Sequence, residues 1–413
     1  MFSSIPFDVL RYIISLTGKT LKSISLCRGV CKNWGEALSI KAIQEFSNGI
    51  EYIECVELNW KNFNAHKSLL GSRTRLVCFD IINEDTPPLQ FEVGKDISTS
   101  FQLQMAKLCP NLETLDDSLS TYSDKGVFEI VNSCPFLSSV NIWCAPEFTD
   151  YSLFTLSKCR SLKKFKLINS PECSDDGFIA LFRGCPNLES LSLHYIYDMT
   201  NVSLLEISRL KNLQTLHITH GNYGNYGNYG NLSDETLIKI ANGCPKLKSL
   251  QCPSSDNSLL EVIRLCPEIT ELGTIVSDVS LMAIADAYPN LQSLLLYKGS
   301  RVSDNSMNEV FQKCSKLKCL SLNSCVIPNS LIYLNLESLS IIGCSISMIF
   351  YDVLLNLKNI KELYIYKCHW FNEEFICNII KRCPSLKKIC TDTRFSNQKS
   401  YPNVSIVYSM YMY

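Results

Sequence analysis

Along most of this chain the apolar residues fall in one spacing, apolar-x-x-apolar-x-apolar, as in Leu188-x-x-Leu191-x-Leu193 after Cys185-Pro186. Its first position recurs at Leu112, Leu137, Leu162, Leu188 and Leu213, then at Leu247, Ile269, Leu291 and Leu317, then at Leu336, Ile360 and Leu386, mostly in steps close to 25 residues. In a strand, alternate side chains face one way. The last two apolar positions of each motif therefore point into one core, and the residues between them point to the other face. One such unit cannot bury its apolar side alone, whereas a stack of them can.

A second marker follows the strands at a nearly fixed interval: Ser123-Asp124, Thr149-Asp150, Ser174-Asp175, Ser233-Asp234 and Ser303-Asp304, with Ser277-Asp278 in a shortened unit. The hydroxyl is a helix cap that accepts a free backbone N–H. The Asp meets the positive helix end, and its regular return reads as capping rather than catalysis or calcium binding. Apolar helical patterns come next, such as Phe178, Ile179, Leu181 and Phe182, and the following Cys-Pro ends the helix because Pro cannot continue its hydrogen bonding. A period of roughly 20 to 29 residues with this leucine spacing is the signature of leucine-rich repeats. The order strand, Ser-Asp, helix, Cys-Pro resembles their cysteine-containing class.

The repeats are expected over residues 111–413. Residues 46–110 read as degenerate first repeats and a loop: Ile53-x-x-Val56-x-Leu58 and Leu76-x-x-Phe79-x-Ile81 keep the spacing loosely, and Thr86-Pro87-Pro88 marks a turn. One interruption, the NYG tripeptide repeat at 221–230, lengthens the step from Leu213 to Leu247 to 34 residues. Removing three triplets restores the period, which places the insertion in a strand-to-helix loop. It reads either as a tolerated expansion or as a tyrosine-bearing contact loop.

Residues 1–45 do not share the repeat. Pro6 suits a first helical turn, and Val9, Leu10, Ile13, Ile14 and Leu16 follow at helical spacing before Gly18. A second short helix is expected through Leu21, Ile24 and Leu26, and a third from Val30 to Leu38. About 40 residues rarely make a stable core alone, so this segment calls for a partner or serves as a cap on the stack. The order Ile5-Pro6-x-Asp8-x-Leu10, then Leu21-x-x-Ile24-x-Leu26, then Val30-Cys31-x-x-Trp34 resembles an F-box, with Asp8 where a Glu is more usual. That resemblance implies docking on a Skp adaptor, and through it on a cullin, by Ile5, Pro6, Val9, Leu10, Ile13, Leu21, Leu26, Val30, Cys31 and Trp34. Gly18-Lys19-Thr20 is no phosphate loop, because the required earlier glycine is Ile13.

Lys and Arg number 39 against 40 Asp and Glu, interspersed along the sequence, so nothing points to nucleic acid or a membrane surface. No signal peptide or membrane span is expected. The 21 cysteines follow the repeat. Cys109, Cys134, Cys159, Cys185, Cys244, Cys266, Cys314 and Cys383 stand three residues before the first strand leucine, and Cys325, Cys344 and Cys368 stand eight after it. With no C-x-x-C pair, they read as buried reduced thiols rather than metal ligands, in a cytoplasmic or nuclear protein.

The fold expected is α/β: a three-helix F-box followed by a right-handed leucine-rich-repeat solenoid, a horseshoe with parallel strands on its concave face. Candidate partner-binding residues are Lys164, Lys166 and His217 on that face, and Trp143, His194, Tyr195, His220, Tyr297, Tyr364 and Tyr366 on loops just beyond the strands, where exposed aromatics anchor interfaces. No nucleophile, metal or cofactor arrangement is discernible. The resemblance implies a non-catalytic substrate-recognition subunit of a Skp–cullin–F-box ubiquitin ligase acting on an unknown target protein. The alternative is a scaffold that binds the adaptor without a cullin.

Overall fold

The computed structural model describes residues 20–21, 52–53, 56–58, 76–79, 102–103, 106–107, 109–117, 122–143, 147–219, 232–297, 302–325, 331, 334–344, 353–355, 357–368, 371–393 and 403–408. The expected F-box helices and the NYG insertion lie outside these residues, with one exception. Leu21, assigned from sequence to the second helix, lies in a two-residue strand, β1 (Thr20–Leu21), which pairs in parallel with β2 (Tyr52–Ile53). Thr20 is β-branched and follows closely on Gly18, so the extended form is locally favoured over helix.

The chain divides into two compact units, Met1–Asn212 and Leu213–Tyr413. In the first, β3 (Val56–Leu58), β4 (Leu76–Phe79), β5 (Thr114–Asp117), β6 (Ser139–Trp143), β7 (Lys164–Ile168) and β8 (Ser190–His194) pair in parallel, each with the next. Both degenerate segments contribute strands, but the register corrects the second: Val77 and Phe79, not Phe79 and Ile81, align with Val56 and Leu58 and with Leu115 and Asp117, two residues earlier than the spacing from Leu76 predicts. Helices α1 (Asp124–Ser133), α2 (Asp150–Leu156), α3 (Asp175–Gly184) and α4 (Asn201–Glu206) alternate with the later strands.

The second unit repeats the plan. Its strands are β9 (Thr215–Thr219), β10 (Ser249–Gln251), β11 (Glu271–Thr274), β12 (Ser293–Leu296), β13 (Cys319–Asn323), β14 (Ser338–Ile342), β15 (Glu362–Tyr366), β16 (Lys388–Thr391) and β17 (Ser405–Tyr408), again in parallel and in sequence order. Its helices are α5 (Asp234–Gly243), α6 (Asp256–Leu265), α7 (Asp278–Ala287), α8 (Asp304–Lys313) and α9 (Glu373–Arg382).

Register follows the motif. Leu191 lies beside Phe165, Leu193 beside Leu167, and Leu294 beside Leu272 and Leu320. These side chains and the first motif position, such as Leu188 and Leu213, are buried with the inner face of the helices. A one-residue slip would turn each row to solvent, so burial fixes the register. No described helix is long and apolar enough to cross a membrane.

Candidate functional site

Each repeat has two edges. At the trailing edge, strands end and helices begin; at the leading edge, helices end and strands begin. The expected caps Ser123, Thr149, Ser233, Ser277 and Ser303 accept a helix N–H; so does Ser255, in a further Ser-Asp pair, and so do Thr200 and Asn372, which the Ser/Thr-Asp signal misses. Ser174 caps without a side-chain bond to its own helix.

Several of the Asp residues that follow a cap do more than face a helix dipole. Asp124 accepts from the Thr149 N–H at 3.0 Å, the Thr149 hydroxyl at 2.7 Å and the Ser152 hydroxyl at 2.5 Å, all in the next repeat. Asp150 takes the N–H and hydroxyl of Ser174, and Asp175 those of Thr200 together with the Ser203 hydroxyl. In the second unit Asp256 serves Ser277 and Ser280, and Asp278 serves Ser303 and Ser306. The third helical residue either donates to the carboxylate or leaves room for it. A Cβ on Gly177 would sit 2.3 Å from Asp150 Oδ1. Burial pushes the Asp175 and Asp256 carboxyls up, but the hydroxyl and backbone donors outweigh it and hold both below the ordinary range; Ser306 and Ser303 do the same for Asp278.

The cysteines line the other edge and the late strand ends. Cys134 Sγ donates to the Cys109 carbonyl at 3.2 Å and Cys314 Sγ to the Tyr288 carbonyl at 3.4 Å. Tyr288, standing where other repeats have Cys, donates its hydroxyl to the Cys266 carbonyl at 3.0 Å. Burial raises Cys134, Cys185 and Cys252 to about 12, and Cys159, Cys266 and Cys314 to about 11, so these thiols are protonated and unreactive.

The open face of the strands holds the expected partner residues. In the first unit Lys164 is exposed and Lys166 half-buried, one residue apart on β7. Trp143 and His194 end β6 and β8 and share a row through Ile168, so they belong to strands and not to loops. Tyr195 follows at φ +57°, a left-handed backbone rarely taken by an aromatic residue. In the second unit Tyr364 and Tyr366 also lie within a strand, β15: Tyr364 stands between the last two motif positions, and the strand runs one residue past the motif to Tyr366. Tyr366 is buried against Ile342 and Cys390, with Tyr364 packed beside them, so it is no exposed anchor. The Tyr364 hydroxyl donates to Glu362 at 2.9 Å; burial and then that bond raise it to about 12. Tyr297 follows β12, folded back so that its hydroxyl lies 3.0 Å from where a Cβ on Gly273 would be. His220 lies outside the described residues.

One feature here was not foreseen from sequence. His217 Nε2 lies 2.8 Å from Ser249 Oγ, which donates to Glu271 Oε2 at 2.8 Å, across three adjacent strands. Since the single Ser249 proton goes to Glu271, His217 supplies the proton on its side. A hydrolytic triad needs histidine in the middle with Nε2 receiving the serine proton. Here serine is in the middle and that transfer is closed. The relay orders these three side chains on the open strand face.

No family model matches the chain, and neither does any curated protein. Among solved structures, the crystal structure of the Rad7 and Elc1 complex in yeast aligns with a TM-score of 0.58 at 16% identity, over 98% of this chain and 91% of that chain. An internalin from Listeria monocytogenes is more distant, with a TM-score of 0.34 at 14% identity over 70% of this chain and 83% of that one. The fold is an α/β leucine-rich-repeat solenoid.

Proposed function

We propose that this chain is the target-recognition subunit of a Skp–cullin–F-box ubiquitin ligase. The carrying observation is the frame itself: a constant stack whose open strand face changes from repeat to repeat, through Lys164, His217, Glu271, Tyr364 and Lys388. Solenoids of stacked repeats offer extended surfaces to other macromolecules. Rad7, which shares this fold, is in a complex with Elc1, and that pairing supports reading the present chain as part of an assembly. In this reading residues 1–45 dock on the adaptor and the repeats hold the target. The chain contributes proximity, placing a target lysine near a charged conjugating enzyme, and carries out no bond chemistry itself. Affinity capture from cells with the proteasome blocked tests it. Adaptor, cullin and an accumulating target are expected together; adaptor without cullin would leave a scaffold, and capture of neither would reject the assignment.

A further inference from the structure

The interspersed charges of the sequence are sorted by the fold. In the second unit the trailing edge carries Asp234, Asp256, Asp278, Asp304, Glu373 and Asp392, though other acids such as Glu268 and Asp286 stand at the leading edge of the earlier repeats. Several are already occupied: Asp256 and Asp278 by the next repeat, and Asp392 by the Lys367 N–H at 2.7 Å. The leading edge of the last repeats is the opposite. It carries Lys316, Lys318, Lys358, Lys361, Lys387 and Lys388, with Lys381 and Arg382 at the end of α9, against Glu337 and Glu362.

Backbone bonds set these groups in rows. Glu337 N–H donates to the Lys318 carbonyl at 2.8 Å, Lys361 to Glu337 at 2.7 Å and Lys387 to Lys361 at 2.8 Å. With neighbouring strands about 4.8 Å apart, the row from Lys318 to Lys387 spans roughly 14 Å. Glu337 sits between two ammonium groups, Lys318 at 3.1 Å and Lys361 at 2.5 Å, and fixes both. Lys388 Nζ lies 5.6 Å over the Tyr364 ring. Lys316, Lys358 and Lys387 are exposed and have no carboxylate partner among the described residues. The trailing-edge carboxylates hold the stack together, whereas these cations face outward.

We infer that the leading edge of β13 to β16 binds an acidic polypeptide segment lying across the strands. A stretch of about five extended residues matches the row, at about 3.3 Å each. The carboxylates of Glu337 and Glu362 within the patch leave a modest excess of cations, which suits a short run of carboxylate side chains better than a dense phosphate polymer. This names the partner class for the receptor reading above and rests on it.

The test uses the full chain and a fluorescein-labelled twelve-residue peptide of alternating Glu and Ser. Saturable binding that weakens with added salt is expected. The triple variant Lys316→Glu, Lys358→Glu, Lys387→Glu should weaken it at least about tenfold with thermal melting unchanged. A control of equal charge change in the first unit, Lys125→Glu, Lys158→Glu, Arg160→Glu, should leave it within about twofold. No saturable peptide binding, equal loss in both triples, or tighter binding of a twelve-residue single-stranded oligonucleotide or of phosphatidylserine vesicles would overturn the inference. Adaptor capture is read on the same variants. Its persistence in a chain that ignores the peptide would sink this inference and leave the receptor reading standing. Its absence from the wild type would sink the receptor reading.

Discussion

The repeats between residues 122 and 313 and those from 319 to 393 end their strands by different chemistry. The earlier ones turn out of the sheet into a Ser/Thr cap whose hydroxyl and N–H are received by the Asp of the preceding repeat. The later ones turn through left-handed residues, Ser324, Gly343 and Lys367, as two earlier ones do at Asn169 and Tyr195, but in the later set a cysteine follows each at once. There the Ser324 N–H donates to the Ile342 carbonyl at 2.8 Å and Gly343 to Tyr366 at 2.8 Å, while Cys344 Sγ donates to the Leu322 carbonyl at 3.4 Å. Both devices satisfy backbone groups at a buried turn. The first does so with an ionised side chain and the second with a neutral thiol. The stack therefore needs a constant core and tolerates two kinds of seam, of which only the first answers to acid.

The largest effects should be blind to that difference. Leu193→Ala and Leu322→Ala empty fully buried core positions on either side of it and should each lower stability by about 3 kcal/mol in denaturant melts. A marked inequality would mean that the two sets of repeats do not pack their cores alike. Next, Asp256→Ala removes the acceptor of the Ser277 hydroxyl and the shorter of the bonds made by the buried Ser280 hydroxyl, leaving the Ser277 N–H and the Ser280 hydroxyl only the longer bonds between these two residues, and should cost about 2 kcal/mol. The matching change at a late seam, Cys344→Ala, should cost about 1 kcal/mol or less, since a thiol is a weak donor. Equal losses would erase the contrast.

Acid should separate the two seams more gently. Asp175, Asp256 and Asp278 are held below their ordinary value of 3.8 in the folded chain. Their contribution is complete above 3.8 and fades as pH falls from there through the lower folded values, because the unfolded chain binds protons first. Thermal melting of wild type should drop over that window, and Asp256→Ala should flatten the drop; an unchanged slope would contradict the ladder. Smallest of all, thiol labelling near neutral pH should reach the half-buried Cys319 and Cys377 before any buried cysteine among the described residues.

Much of this was legible in the sequence. Strand leucines, helix caps and cysteine positions follow from periodicity, because each depends on residues within one repeat. What escaped lies between repeats. Asp124 finds Thr149 and Ser152, 25 and 28 residues away, so a local reading sees only a helix-dipole partner. Ser249 and Glu271 are unremarkable positions until register sets them beside His217. Tyr366 reads as a loop aromatic because nothing local tells that its strand runs on to it. The sorting of charge by edge is likewise invisible in a linear count.

The receptor account is tested most directly by co-purification of the full chain, wild type against the double change Ile13→Asp, Trp34→Ala, with an adaptor of the Skp class. The wild type should bring down adaptor and cullin, and the double variant neither, with repeat melting unaltered. Equal capture by both forms would contradict the account.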